Sequence, residues 1–219
     1  MAGLGGLGGF WQQGDLISRS VALLLLAMSV SSWVIVLWKG WLLRRAGQDI
    51  ARGVAAFWSA ASVDEGRTRL HALDREAVLV PLVDAALLQP AAGTLETQPG
   101  LASQLTRRLR EALHAGLAQL QFGQVVLASV GSTAPFVGLF GTVWGIFHAL
   151  GGMTEGGASI DKIAGPVGEA LIFTAAGLGV AIPAVLAYNV YGKRIAACEA
   201  ELEGFAHDLR EMRLDSAAR

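Results

Sequence analysis

The chain has 219 residues, of which 53% are hydrophobic and 16% charged, and a formal net charge of −1. Soluble globular domains carry about 25% charged residues, so this composition excludes both an ordinary soluble enzyme and a disordered chain. Its 17 basic and 18 acidic residues nearly cancel, which leaves no electrostatic footing for nucleic acid, and the single cysteine, Cys198, excludes an intrachain disulfide framework and a cysteine-based metal cluster.

Residues 1–15 include a GLGGLGG stretch at 3–9 that lacks the strand and helix a nucleotide-binding loop needs. The first apolar run, Val21 to Trp38, holds 18 residues without a charge, and Leu16 and Ile17 extend it beyond Arg19. A spanning helix needs about 20 apolar residues at about 1.5 Å each, so we read a transmembrane helix over 16–42. A signal peptide fits worse. The start is glycine-rich instead of basic, and the run ends in Lys39, Gly40 and Trp41 instead of a small-residue cleavage site.

Residues 43–124 are mixed in charge and rich in Ala, Leu and Arg. Pro81, Pro90 and Pro99, with Gly93 and Gly100, predict short helices and a loop near 90–100. Helical periodicity resumes from Leu101, with Leu105, Leu109, Leu113, Leu117 and Leu120 at spacings of three and four. Only Gly123 interrupts the pattern, so one long helix is expected to continue into the second apolar run, 125–150. His148 is the only ionisable residue of that run. A polar, glycine-rich loop, 151–164, leads to the third run, 165–191. Its start is marked by Pro166 and its only charge is Glu169.

Beyond it, over 192–219, Ile195, Cys198, Leu202, Phe205, Leu209 and Met212 form a heptad seam. The same phase continues backward through Tyr191, Tyr188, Ala184, Ala181, Gly177, Thr174 and Ala170. Such a stripe packs either within one subunit or between identical subunits in a ring. We favour the ring, because three spans alone enclose little, and assign Ile195, Leu202, Phe205 and Leu209 to an assembly seam.

Orientation follows the basic residues. Lys39, Arg44, Arg45, Arg107, Arg108, Arg110, Lys193 and Arg194 flank the spans on one side, against Arg19 and Lys162 on the other. The first side is the cytoplasm, so the N-terminus and the 151–164 loop are periplasmic, and 43–124 and the C-terminus are cytoplasmic. Trp11, Trp33, Trp38, Trp41 and Trp144 supply candidate interfacial anchors. The fold class is an all-α membrane protein with three transmembrane helices and long cytoplasmic helical extensions.

Glu169 is the central chemical feature. A charged side chain inside a span costs about 2.5–3.5 kcal/mol on insertion scales and marks a functional position. The plainer alternative places it near enough to the outer end to reach water or Lys162. Thr142 and Thr174 are the other polar residues deep in the second and third spans. Each alone fits a membrane threonine that bonds its own backbone carbonyl; together they line a candidate polar path. Gly138, Gly141, Gly145 and Gly177 provide small packing positions, and Pro135 and Pro183 provide kink positions. The four histidines are scattered without metal-ligand spacing, and no nucleophile–base pair is evident. No enzyme activity, metal or cofactor is expected. One outer carboxylate cannot carry a proton across about 30 Å of hydrocarbon, so a partner with an acidic transmembrane residue is expected.

At these residues the chain resembles the MotA/TolQ/ExbB proton-channel family. STAPFVGLFGTVWGIFHAL at 132–150 and GPVGEALIFTAAGLGVAIPAVLAYN at 165–189 are similar to its second- and third-span signatures, and the first span agrees more loosely. The resemblance implies a homopentamer in the bacterial inner membrane, surrounded by membrane lipids. The ring encloses a dimer of a single-span ExbD-like or TolR-like partner, whose proton flow drives a TonB-like or TolA-like protein. It also implies that Glu169, Thr142 and Thr174 face or adjoin the pore. The ExbB branch of the TonB system agrees better than TolQ, and the four-span MotA branch agrees poorly. Phe173 departs from the alanine more usual in the family at that position.

Overall fold

A computed structural model describes residues 15–89, 93, 98–151 and 160–218, and the regular structure among them is helical. The helices are α1 Leu16–Trp58, α2 Val63–Leu73, α3 Val80–Leu87, α4 Leu101–Gln121, α5 Gln124–Gly151 and α6 Ile160–Ala218. Three of them, α1, α5 and α6, are long and apolar enough to cross a membrane. The chain divides into two compact units, Met1–Trp38 with Gly123–Asn189, and Lys39–Phe122 with Val190–Arg219.

In the first unit many small residues of α5 and α6 face inward while many large apolar ones face outward. Gly131, Ala134, Gly138, Gly141 and Thr142 of α5 are buried, as are Ala170, Phe173, Gly177, Ala181 and Ala184 of α6. Phe136, Phe140, Ile172 and Leu186 are exposed. A soluble core has the opposite arrangement. Inside a membrane the surroundings are apolar, and close backbone approach supplies the packing energy. A Cβ on Gly138 would lie 2.5 Å from the Phe173 carbonyl oxygen, and one on Gly177 would lie 2.6 Å from that of Ala134. Gly141 accommodates the bulky Phe173: a Cβ there would meet the Phe173 ring at 2.8 Å and Val21 at 2.9 Å.

Both prolines assigned to kinks lie inside continuous helices, Pro135 in α5 and Pro183 in α6. The third pass begins at Ile160, so Pro166 sits within α6 instead of marking its start. Membrane helices tolerate the bond a proline cannot make because neighbouring groups re-satisfy the freed carbonyl.

The second unit resembles a soluble helical core. Phe57 of α1 meets Phe205 of α6 edge-on, with ring centroids 5.3 Å apart, and Trp58 adds a second edge contact. Leu70, Leu79, Leu82, Leu105 and Leu120 complete the interior. Two turns are capped by side chains. Ser62 accepts the Glu65 N–H at the start of α2. The Asp74 carboxylate accepts the N–H groups of Val78, Leu79 and Val80 at 2.7–3.0 Å and so opens α3. These bonds satisfy donors that a helix start leaves without intrahelical partners.

Two sequence expectations are corrected in this unit. The long helix expected to run from 101 into the second span is interrupted: α4 ends at Gln121, Phe122 is extended, and Gly123 takes a φ of +82°. Lys39 binds at the break. Its ammonium donates to the carbonyls of Leu120 and Phe122, each at 2.6 Å, from a side chain only 1% exposed. A cation suits the electron-rich end of a helix, and leucine periodicity carries no sign of a distant lysine.

The second correction concerns the assembly seam. Ile195, Leu202, Phe205 and Leu209 are buried inside their own chain, at 0–4% exposure. A seam between subunits would need these side chains at the surface, so the intrachain reading of the stripe describes them. Tyr188, placed in the same phase, is exposed. The 1–14 stretch with Trp11, and most of the 90–100 loop, lie outside the described residues.

Candidate functional site

The close approach of α5 and α6 brings Thr142 and Thr174 together. Thr142 sits within a glycine series, Gly138, Gly141 and Gly145, that lets the α6 backbone come near. Its Oγ1 lies 3.1 Å from the Gly138 carbonyl one turn back, 3.2 Å from the Ala170 carbonyl across the interface, and 2.5 Å from Thr174 Oγ1. Both carbonyls can only accept, and a hydroxyl has one proton. The arrangement that satisfies most of these contacts has Thr142 donating to a carbonyl and accepting from Thr174. Bonding to the helix's own carbonyl is therefore only part of what Thr142 does; it also bonds across to α6.

Thr142 is buried and Thr174 half-buried, so the pair runs from the interior of the unit toward its surface. Glu169 stands apart. It is exposed on α6 and makes no hydrogen bond or ion pair among the described residues. Five residues separate it from Thr174, about 7–8 Å along the helix and about 140° around it. The structure thus joins the two threonines and leaves the carboxylate on an open face. Lys162, the alternative partner considered for it, has its side chain outside the described residues.

Residue patterns missed two bonded groups, one in the same unit as these threonines and one in the second unit. Asp15 precedes α1, and its Oδ1 accepts the Ser18 N–H at 3.0 Å, which makes it the helix N-cap. Its Oδ2 accepts the Trp144 indole N–H at 2.5 Å. Burial raises the carboxyl pKa, but the bonds from Ser18 and Trp144 lower it further, and the group stands below its ordinary value. The available signal was an aspartate immediately before an apolar run, a helix-start pattern. The second group is Lys39, whose carbonyl partners lie more than 80 positions away in sequence. Trp144, assigned as an interfacial anchor, is half-buried and bonded.

The MotA/TolQ/ExbB proton channel family model matches residues 78–204. The chain is 40% identical over 210 residues to the biopolymer transport protein ExbB of Xanthomonas campestris pv. campestris, covering 89% of this chain and 81% of that one. It is 37% identical over 206 residues to the ExbB of Neisseria meningitidis, covering 91% and 93%. With the Tol-Pal system protein TolQ of Pseudomonas aeruginosa it shares 35% identity over 192 residues, covering 82% and 80%. Together with the three apolar helices, these relatives mark a multi-pass inner-membrane protein.

Proposed function

Because the chain belongs to the MotA/TolQ/ExbB proton channel family, we propose that it is the ExbB-type subunit of a proton-driven motor. In this reading five copies form a ring around a dimer of an ExbD-like single-span protein. Proton flow through the ring energises a TonB-like protein and, through it, transport across the outer membrane. The N-terminus is periplasmic and the C-terminus cytoplasmic, as the basic flanks of the spans indicate.

One observation carries the proposal. Glu169 is exposed on an apolar helix. A carboxylate facing lipid there costs about 2.5–3.5 kcal/mol, so this face of α6 needs a polar or hydrated neighbour. The interior of a ring holding an acidic partner helix supplies one. The Thr142–Thr174 pair on the same helix pair gives a second, deeper polar position. Glu169 then binds and releases protons, and the threonine hydroxyls order the water or partner carboxylate that receives them.

The test is proton-motive-force-dependent uptake through an outer-membrane receptor, with ring assembly checked in parallel. Glu169→Ala and Glu169→Gln are both expected to abolish uptake while the ring stays assembled, because glutamine keeps the shape and cannot titrate. Full uptake by Glu169→Gln would remove the protonation role. A TolQ-type role, with TolR-like and TolA-like partners, is the second reading, favoured by the 35% identity to TolQ. The single-span protein that co-purifies in mild detergent separates the two, and the absence of any such protein would favour a passive scaffold.

A further inference from the structure

We propose that Asp15 is a positioning residue of the polar path: its carboxylate holds the Trp144 indole and so fixes the rotation of α5 that aims Thr142 at α6. This rests on reading Thr142 and Thr174 as part of that path.

Thr142 and Trp144 are two residues apart, about 200° around α5, so they leave the helix on nearly opposite sides. Thr142 bonds to Ala170 and Thr174 of α6. Trp144 bonds to Asp15 at the start of α1. Beside Thr142 the α5 contact face carries no other hydrogen-bonding side chain: a Cβ would meet the Phe173 carbonyl at Gly138, the Phe173 ring and Val21 at Gly141, and the Ala170 methyl at Gly145. Apolar contact is non-directional, so close packing sets how near the helices come but adds no directional bond to their rotation. Directional bonds on two opposite sides do resist it. A 20° turn moves an atom at the helix rim, about 5 Å from the axis, by about 1.7 Å, which breaks a hydrogen bond.

Asp15 suits this role because its two oxygens do separate work. Oδ1 caps α1 through the Ser18 N–H, so the carboxylate is itself held in place, and Oδ2 is free to take the indole. A carboxylate accepting an N–H also makes a stronger bond than a neutral acceptor.

The experiment separates capping from clasping. Asp15→Ser keeps an N-cap oxygen but has none left for Trp144. Trp144→Phe keeps an aromatic ring beside Phe147 and loses the N–H. Each is expected to lower proton-driven uptake about tenfold, the size of one charge-assisted hydrogen bond. The double variant is expected to fall no further than either single one. With 5-fluorotryptophan incorporated, the resonance that Trp144→Phe abolishes should shift in Asp15→Ser. Full activity in Asp15→Ser, or additive losses in the double variant, overturns the proposal and leaves Asp15 as a cap. If Asp15→Ser fails to assemble, Trp144→Phe, which leaves the cap intact, carries the test alone. Glu169→Gln is measured alongside. Loss there with full activity in Asp15→Ser overturns the positioning role only. Full activity in Glu169→Gln overturns the polar-path reading, and the role of Asp15 with it.

Discussion

At the residue scale the first unit depends on hydrogen atoms where side chains would otherwise stand. Gly138→Ala is expected to destabilise the α5–α6 pair by about 1–3 kcal/mol, because the added methyl meets a backbone oxygen that cannot rotate away. Gly179 is the control. A Cβ there has nothing within 4 Å, so Gly179→Ala should leave subunit stability unchanged or raise it by up to about 1 kcal/mol through helix propensity. Thermal unfolding in detergent, followed by circular dichroism, measures both. Equal melting of the two variants would mean that the backbones do not touch at Gly138. The hydroxyl pair makes its own prediction. Thr142→Val keeps the branched shape but takes away the acceptor for Thr174, at a cost of about 1–3 kcal/mol, whereas Thr142→Ser should be mild. Uptake and melting should fall together for valine. A fully active valine variant would show that the Thr142 hydroxyl contributes neither to packing nor to the path.

At the element scale the decisive feature is the end of α4. The carbonyl of Leu120 in its last turn and that of Phe122 just beyond it are held by a lysine that has left water almost completely. Lys39→Met removes that donor and leaves buried acceptors, at a cost of about 1.5–3 kcal/mol for hydrogen bonds to a charged group. Amide hydrogen exchange over 117–126 should accelerate in this variant and remain slow in Glu201→Lys, whose side chain is exposed. Unchanged exchange would show that Gly123 alone sets the break. The second half of α6 gives a chemical prediction. Cys198 is buried, and burial, with a smaller contribution from the Glu201 charge, raises its thiol pKa. The thiol therefore stays protonated and covered at neutral pH. Alkylation should be negligible in the folded protein and fast once denaturant is added. Rapid labelling of the native protein would mean that this stretch of α6 opens readily.

At the scale of the whole molecule, the C-terminal seam packs inside the second unit, so the ring proposed above would have to be held by other surfaces. Leu202→Asp and Phe205→Asp each place a charge in the core of the second unit. Truncating such a buried aromatic already costs about 3–5 kcal/mol, and an unpaired buried charge adds to that. The expected outcome is loss of helicity and protease resistance in the subunit itself, with loss of assembly as a consequence. Subunits that stay fully folded but no longer associate would restore the seam to an assembly role. Phe136, Phe140, Leu171, Ile172 and Leu186 of α5 and α6 lie open, and in the proposed ring they would meet lipid or a neighbouring copy. Orientation belongs to this scale as well. A reporter after Arg219 is expected to read cytoplasmic and one near Gly156 periplasmic; the reverse would invert the direction of proton entry.

The sequence by itself determined the helical class, the three apolar passes and the polar residues within them. Each of these is written in short-range composition: uninterrupted apolar runs, an acid inside one of them, and glycines at helical spacing. The pairing of Thr142 with Thr174 was half legible, since each lies on a small-residue face, but their contact required knowing that Gly138 and Gly177 bring two backbones together. The tertiary structure alone decided three matters. It turned the Ile195–Leu209 stripe inward, because a heptad pattern states that a face is covered and not by what. It ended α4 at Gln121, where Lys39 bonds carbonyls more than 80 positions along the chain. It joined Asp15 to Trp144 across 129 positions. Patterns of three and four residues record local helical geometry, whereas a hydrogen bond between distant side chains exists only once packing has placed donor and acceptor within 3 Å of each other.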